Sequence, residues 1–230
     1  MAYWVLKILL TPVLRLVFRV RSEGTQHVPR RGPAILASNH RSFIDSIFLP
    51  LVVRRRVTFV AKAEYFESWK TAWFFRAVGM IPLKRGGGSA SERALAAARE
   101  VLDKGGILGI YPEGTRSPDG RLYKGHTGAA RLAKDCDAPI VPVAQLGTNE
   151  VQPIGAMWPK LFRQVRVKMG EPIRWKEGTG GMRQLRDFTD EVMTAIAALS
   201  GQQMVAEYAN RDRGRLSAPG SEAYPVPAQA

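Results

Sequence analysis

Three short polar clusters in this 230-residue chain carry residue types that can do chemistry. The first is Asn39-His40-Arg41-Ser42-Phe43-Ile44-Asp45. An imidazole at His40 can take a proton from a hydroxyl, and a carboxylate at Asp45 can hold the other ring nitrogen and favour the imidazolium that forms. The nucleophile is then the acceptor's own hydroxyl, and no enzyme serine is needed. A structural role for Asp45 stands beside the chemical one. Ser42 and Asp45 have capping-box spacing, so the carboxylate can also close the start of a helix. The second cluster is Lys84-Arg85-Gly86-Gly87-Gly88. Glycine-rich backbone before a helix makes an anion site, to which Arg85 adds a bidentate phosphate donor. The competing reading is a flexible loop. The third cluster, Pro112-Glu113-Gly114-Thr115-Arg116-Ser117, sets a carboxylate, a hydroxyl and a guanidinium around a glycine that permits close backbone approach. Turn chemistry at Ser117-Pro118-Asp119-Gly120 accounts for 117–120 but not for 113–116.

Each cluster follows a short apolar run, and those runs define the elements that position it. Strands are expected at 33–38, 57–61, 80–83, 106–111, 139–144 and 164–169. They are continuously apolar and rich in Val, Ile and Leu, as strands buried on both faces are. Helices are expected at 43–53, 64–77, 89–104, 125–135 and 182–199. The third of these opens on a Ser89/Glu92 capping box and stops at Gly105. Alternating strands and helices imply an α/β fold, layered αβα around a largely parallel central sheet. Ligands bind beyond the carboxyl ends of such strands, so the three clusters are expected to share one cleft.

Residues 1–20, MAYWVLKILLTPVLRLVFRV, interrupt an apolar run with charge and with Pro12. A secretory signal or a spanning helix tolerates neither. Lys7, Thr11, Arg15 and Arg19 are spaced by four and form one stripe. The segment is expected to be an amphipathic helix in the membrane interface, basic side toward the headgroups. Packing on the protein's own core is the alternative. Residues 21–204 form the domain proper, and 205–230, rich in Pro, Ala, Ser and Gly, read as a disordered tail. The formal charge is +14. Anionic lipid headgroups, a coenzyme A thioester or nucleic acid would all answer it, but no nucleic-acid motif is present. Cys136 is the single cysteine and reads as a tolerated thiol. His27 and His126 lie in polar loops and are expected to be non-catalytic.

These residues together resemble the 1-acylglycerol-3-phosphate acyltransferase family, within the wider glycerolipid acyltransferases. Asn39-His40-x4-Asp45 is similar to its catalytic motif. Gly79-Met80-Ile81-Pro82-Leu83-Lys84-Arg85 resembles the second, whose arginine contacts the acceptor's phosphate, with departures at Pro82 and Lys84. Tyr111-Pro112-Glu113-Gly114-Thr115-Arg116-Ser117 resembles the third, an acceptor-binding motif. Ile140-Val141-Pro142-Val143 resembles the fourth, an apolar element near the acyl donor. The four occur in the family's order over roughly residues 20 to 175. The resemblance implies an α/β acyltransferase fold, His40 and Asp45 as catalytic residues, and Arg85, Glu113, Gly114, Thr115 and Arg116 as substrate-binding residues. It implies no metal and no cofactor beyond the donor substrate, acyl-coenzyme A or acyl carrier protein. The implied acceptor is lysophosphatidic acid and the implied product phosphatidic acid. The implied location is peripheral, on the cytoplasmic face of the cell membrane. Glycerol 3-phosphate or a glycolipid are the alternative acceptors. A basic nucleic-acid-binding protein, and a membrane scaffold with a dead site, are readings of a different class.

Overall fold

The computed structural model describes residues 2–61, 66, 72–73, 75–76, 79–82, 89–178 and 180–209. Seven strands form one sheet: β1 (Arg21–Glu23), β2 (Ala34–Ser38), β3 (Val57–Ala61), β4 (Met80–Pro82), β5 (Ile107–Ile110), β6 (Ile140–Leu146) and β7 (Arg166–Met169). Their order is β1-β7-β6-β2-β5-β3-β4. The helices are α1 (Ala2–Val17), α2 (Asp45–Val52), α3 (Ala90–Asp103), α4 (Gly128–Asp135), the single turn α5 (Thr148–Val151) and α6 (Gly181–Ser200).

Alternation along each strand sorts side chains into two cores. Ala34 and Leu36 of β2, Ile107 of β5 and Val141 and Val143 of β6 face α2 and the end of α1. Ile35 and Ala37, Leu108 and Ile140 face α3, α4 and α6. The result is the expected αβα layering. The α3 capping box forms in both directions. Glu92 N donates to Ser89 Oγ at 3.2 Å and Ser89 N to the Glu92 carboxylate at 2.6 Å. The expected helix at 64–77 lies mostly outside the described residues.

Two strands depart from the parallel expectation. Segment 164–169 pairs antiparallel with β6. The connection from β6 holds only one helical turn instead of a full crossover helix, so the chain returns in the opposite sense. β1, Arg21-Ser22-Glu23, was not expected at all. It is an exposed polar edge strand held by β7 alone, with no apolar pattern to announce it. The boundary drawn at 204 also falls early. Val205 N donates to Leu122 O, Lys124 N to Glu207 O, and the Tyr208 ring stacks on His126. Residues 210–230 lie outside the described residues.

The orientation of α1 reverses the sequence expectation. Lys7 points inward, and its ammonium donates to Val53 O and to Arg55 O at the carboxyl end of α2. Val53 is the C-cap of α2, and a cation there meets the negative end of the helix dipole. Burial, then the nearby Arg15, pulls the Lys7 pKa down to about 8. Tyr3 and Phe18 are buried, with Phe18 edge-on to Phe48 of α2. The helix is therefore packed as part of the domain, and its outward face is apolar. Trp4, Val5, Ile8, Leu9, Val13 and Leu16 are 45% to 80% exposed. Among the described residues no helix is long and apolar enough to cross a membrane.

Candidate active site

β2 and β5 are adjacent and parallel, with Ala37 opposite Ile110. Their carboxyl ends therefore deliver Asn39-His40 and Tyr111-Pro112-Glu113 side by side. His40 Nδ1 lies 2.9 Å from Asp45 Oδ2, and Asp45 is 1% exposed. The same oxygen accepts from Arg41 N and Ser42 N, each at 2.8 Å. Asp45 thus holds the imidazole and the Arg41-Ser42 backbone before the helix, while α2 itself opens on Ile44 with no side-chain cap bond. Ser42 Oγ does not complete the capping box. It donates to Gln152 O at 2.7 Å instead.

With two N–H donors already on Oδ2, the carboxylate acts as acceptor toward the ring. His40 therefore carries its proton on Nδ1 and keeps a lone pair on Nε2. Nothing among the described residues bonds Nε2, and it is not buried. A lone pair open to the cleft, on a ring oriented by a buried carboxylate, is the arrangement a general base requires. Tyr111 fixes the ring's other degree of freedom. Its ring lies 3.9 Å from the imidazole at 12°, and its hydroxyl is 2.9 Å from Ser46 Oγ. Burial first, and the Asp45 charge second, push the phenol well above its ordinary range, so it stays neutral. Phe59 stacks behind Tyr111 at 5.6 Å. It reaches there across Gly109, where a Cβ would come within 2.3 Å of the Phe59 ring. Glycine in the middle of β5 thus makes room for the aromatic stack that supports the His40 ring.

Glu113, expected to bind substrate, is placed differently. It is 1% exposed, and its two oxygens accept from His40 N and Tyr123 N, each at 3.0 Å. It braces three loops behind the cleft, and Ser117 N closes the same junction onto His40 O at 2.7 Å. Desolvation pushes Glu113 from 4.5 up to about 7. The folded state therefore holds this proton more tightly than the unfolded chain. That stability is present below 4.5 and is lost as pH rises through about 7. Glu113→Gln can accept only one of the two N–H groups, and the orphaned donor should cost about 1–3 kcal/mol. Denaturant unfolding should show the wild type's advantage over this variant shrinking as pH rises from 4.5 to about 7. A difference constant across that window would show that Glu113 does not titrate there.

The 113–116 turn presents backbone instead. Gly114 has φ 72°, a left-handed conformation that favours glycine, and an added Cβ would meet the His126 ring at 3.1 Å. Gly114 N–H donates to Tyr111 O at 3.0 Å, so it is committed. The N–H groups of Thr115 and Arg116 hold no intramolecular bond among the described residues and can donate to a ligand. Thr115 and Arg116 are half-buried on the same turn. Arg85 and Gly86 to Gly88 lie outside the described residues, so only the first and third clusters are seen to meet, through the Glu113 and Ser117 bonds to the His40 backbone.

Two supports, Gln145 and Gln202, escaped the sequence reading, and both bond Asn39. Buried Asn39 accepts from Gln145 N at 2.8 Å and donates to Gln145 O at 3.1 Å, tying the ends of β2 and β6 together. It also donates to Gln202 Oε1 at 2.6 Å, and Gln202 reaches on to Gly120 O. Asn39 lies inside the first motif and was legible there. The glutamines are distant in sequence and carry no local signal. His27 bonds Met169 O and Glu171, and burial raises the Cys136 thiol, which keeps it protonated.

Known proteins match this arrangement. A family model described as Acyltransferase matches residues 19–145, more than half of the chain. The chloroplastic 1-acyl-sn-glycerol-3-phosphate acyltransferase of Arabidopsis thaliana is 32% identical over 157 residues, covering 68% of this chain and 44% of that protein. The chain thus spans less than half the length of this plant relative. The 1-acyl-sn-glycerol-3-phosphate acyltransferase of Bacillus subtilis is 27% identical over 165 residues, covering 70% of this chain and 77% of that one. The crystal structure of the 1-acyl-sn-glycerophosphate acyltransferase PlsC from Thermotoga maritima superposes with a TM-score of 0.60 at 29% identity, covering 78% of this chain and 71% of that chain. With its layered sheet and its His40–Asp45 pair at the carboxyl ends of the strands, this chain belongs to the acyltransferase family.

Proposed function

We propose that the chain transfers a fatty acyl group from an acyl-coenzyme A or acyl-carrier-protein thioester to the free hydroxyl of 1-acylglycerol 3-phosphate, giving phosphatidic acid. The observation that carries this is His40, with Nδ1 held by buried Asp45 and Nε2 open. Nε2 takes the acceptor hydroxyl proton as its oxygen bonds to the thioester carbon. The carbon–sulfur bond then breaks, and the imidazolium returns the proton to the departing thiolate. Asp45 stabilises the transient imidazolium. The N–H groups of Thr115 and Arg116 are the available donors for the developing oxyanion or for the acceptor's phosphate. The test is thioester consumption with lysophosphatidic acid, with and without acceptor, against glycerol 3-phosphate and a glycolipid. Turnover on either alternative in preference to lysophosphatidic acid would reassign the acceptor.

Arg116 and Arg85 are assigned to the acceptor's phosphate by charge-assisted bonds. Arg116→Ala and Arg85→Ala should each raise the acceptor KM by about tenfold or more while moving the donor KM little. Lysine should rescue only in part, because ammonium lacks the bidentate fork. A change confined to the donor KM would overturn the assignment.

The site of action we infer is a membrane surface, the cytoplasmic face of the cell membrane, with the protein peripheral. The outward apolar face of α1 supports this. So does a second exposed apolar cluster, Met157, Trp158, Leu161 and Phe162, each 55% to 80% exposed and interspersed with Lys160 and Arg163. The loop that carries it is tied to the end of α1, where Val165 N donates to Phe18 O. Apolar patches of this kind, rimmed by cations, mark contact with lipid.

A further inference from the structure

A cavity of about 420 Å³ lies away from His40, which is not among its lining residues. Its walls come from the end of α1, from β1, and from the segments that lead into β2 and β3. The lining segments 28–30 and 52–55 lead into β2 and β3, whereas His40 follows β2, so these walls lie at the other end of the strand from His40. Arg15, Arg30, Arg54 and Arg55 line the cavity together with Ser22 and Thr25, and no lining residue is acidic. None of the four arginines pairs with a carboxylate among the described residues. Arg55 is fixed by neutral acceptors, donating to Pro29 O at 2.9 Å and Gly105 O at 2.5 Å, which leaves its charge uncompensated. Four guanidinium groups and two hydroxyls around a cavity of ligand size recognise the oxygens of a phosphate ester.

The position relative to α1 identifies the source. At about 100° per residue, Arg15 falls on the flank of the outward apolar arc, whereas Lys7 falls on the opposite side. A helix lying in the interface with that arc immersed carries its flank at headgroup depth. We propose that this cavity binds the phosphate of an anionic phospholipid headgroup from the membrane on which α1 rests, at a place separate from the acyl-transfer site. The assignment of the source rests on the membrane reading of α1. The phosphate chemistry of the cavity does not.

The experiment has a soluble arm and a vesicle arm, both on the full chain. In solution, dihexanoyl phosphatidylglycerol below its micelle concentration and inorganic phosphate are titrated calorimetrically. The variants are Arg30→Gln/Arg54→Gln and, as a control for the acyl-transfer site, Arg116→Ala. Arg30 and Arg54 are exposed, and thermal unfolding checks that the double variant folds. Arg55 is left in place because it braces two carbonyls. The double variant should bind the lipid about tenfold or more weakly, and Arg116→Ala should bind it as the wild type does. Equal binding by wild type and double variant, loss confined to Arg116→Ala, or no binding by the wild type would overturn the site. Phosphate binding as tight as the lipid's would keep the phosphate site and overturn the headgroup as its ligand. In the second arm, sedimentation is compared on phosphatidylcholine vesicles with and without phosphatidylglycerol. The double variant should match the wild type on the neutral vesicles and lose the gain that phosphatidylglycerol gives. If the wild type fails on both vesicles yet binds the soluble lipid, the membrane reading of α1 falls while the phosphate site stands.

Discussion

Replacing His40 with alanine should lower turnover by about 10²–10⁴ while the protein stays folded. The loop around it does not depend on the imidazole. Asp45 Oδ2 keeps its bonds from Arg41 N and Ser42 N, and Glu113 keeps His40's backbone N–H. Tyr111 loses a stacking partner but retains Phe59 and the Ser46 hydroxyl. Asp45→Asn separates orientation from charge. An amide oxygen in the Oδ2 position can accept the same three donors, and the amide nitrogen then takes the place of Oδ1, which has no partner. The ring should keep its tautomer, and the loss should be that of the carboxylate's charge beside an imidazolium. Its effect should therefore be smaller than that of His40→Ala. Single-turnover acyl transfer with saturating donor checks both, with circular dichroism as the folding control. Near-normal turnover by folded His40→Ala would remove the base from the mechanism. An asparagine variant as inactive as His40→Ala would show that charge, and not positioning, dominates the role of Asp45.

The parts of this site legible in the sequence were those whose partners are local. His40 and Asp45 meet across one strand-to-helix turn, so their spacing carried the contact. The strand cores other than β1 were visible as apolar runs because both faces of the sheet are covered there, whereas β1 is an exposed polar edge. The buried bracing place of Glu113 was not legible because its partners are backbone N–H groups at His40 and Tyr123, on separate loops. A carboxylate beside a glycine looks the same in sequence whether it faces a cleft or a neighbouring loop. The Gln145 and Gln202 supports and the Tyr111 stack are likewise set by strand order, which periodicity does not reveal. α1 shows a further limit. Spacing by four established one stripe but could not say which side of the helix the core would take. In the structure Lys7 reaches Val53 O and Arg55 O, and Tyr3 and Phe18 are buried, which leaves the apolar arc facing outward.

That reversal changes what membrane binding should look like. Deleting residues 1–20 is a poor test, because Tyr3 and Phe18 are buried and Lys7 holds the end of α2. Leu9→Glu/Leu16→Glu is the better one, since both side chains lie on the exposed arc, at 63% and 80%. Burying a leucine is worth about 1.5–3 kcal/mol, so losing two should weaken vesicle partition by roughly 10²-fold or more. Turnover of vesicle-borne acceptor should fall with it. Turnover of a dispersed short-chain acceptor should hold, because the His40 site lies at the carboxyl ends of β2 and β5. Salt should matter less than the four-residue stripe implied. With Lys7 turned inward, Arg15 and Arg19 are the stripe's remaining cations, and each adds about 1 kcal/mol near an anionic surface. High salt should then weaken binding to anionic vesicles without abolishing it, because the apolar share is not screened. Wild-type sedimentation by the double glutamate variant would show that α1 is not the contact. Complete release of the wild type by salt would show that its apolar arc is not immersed.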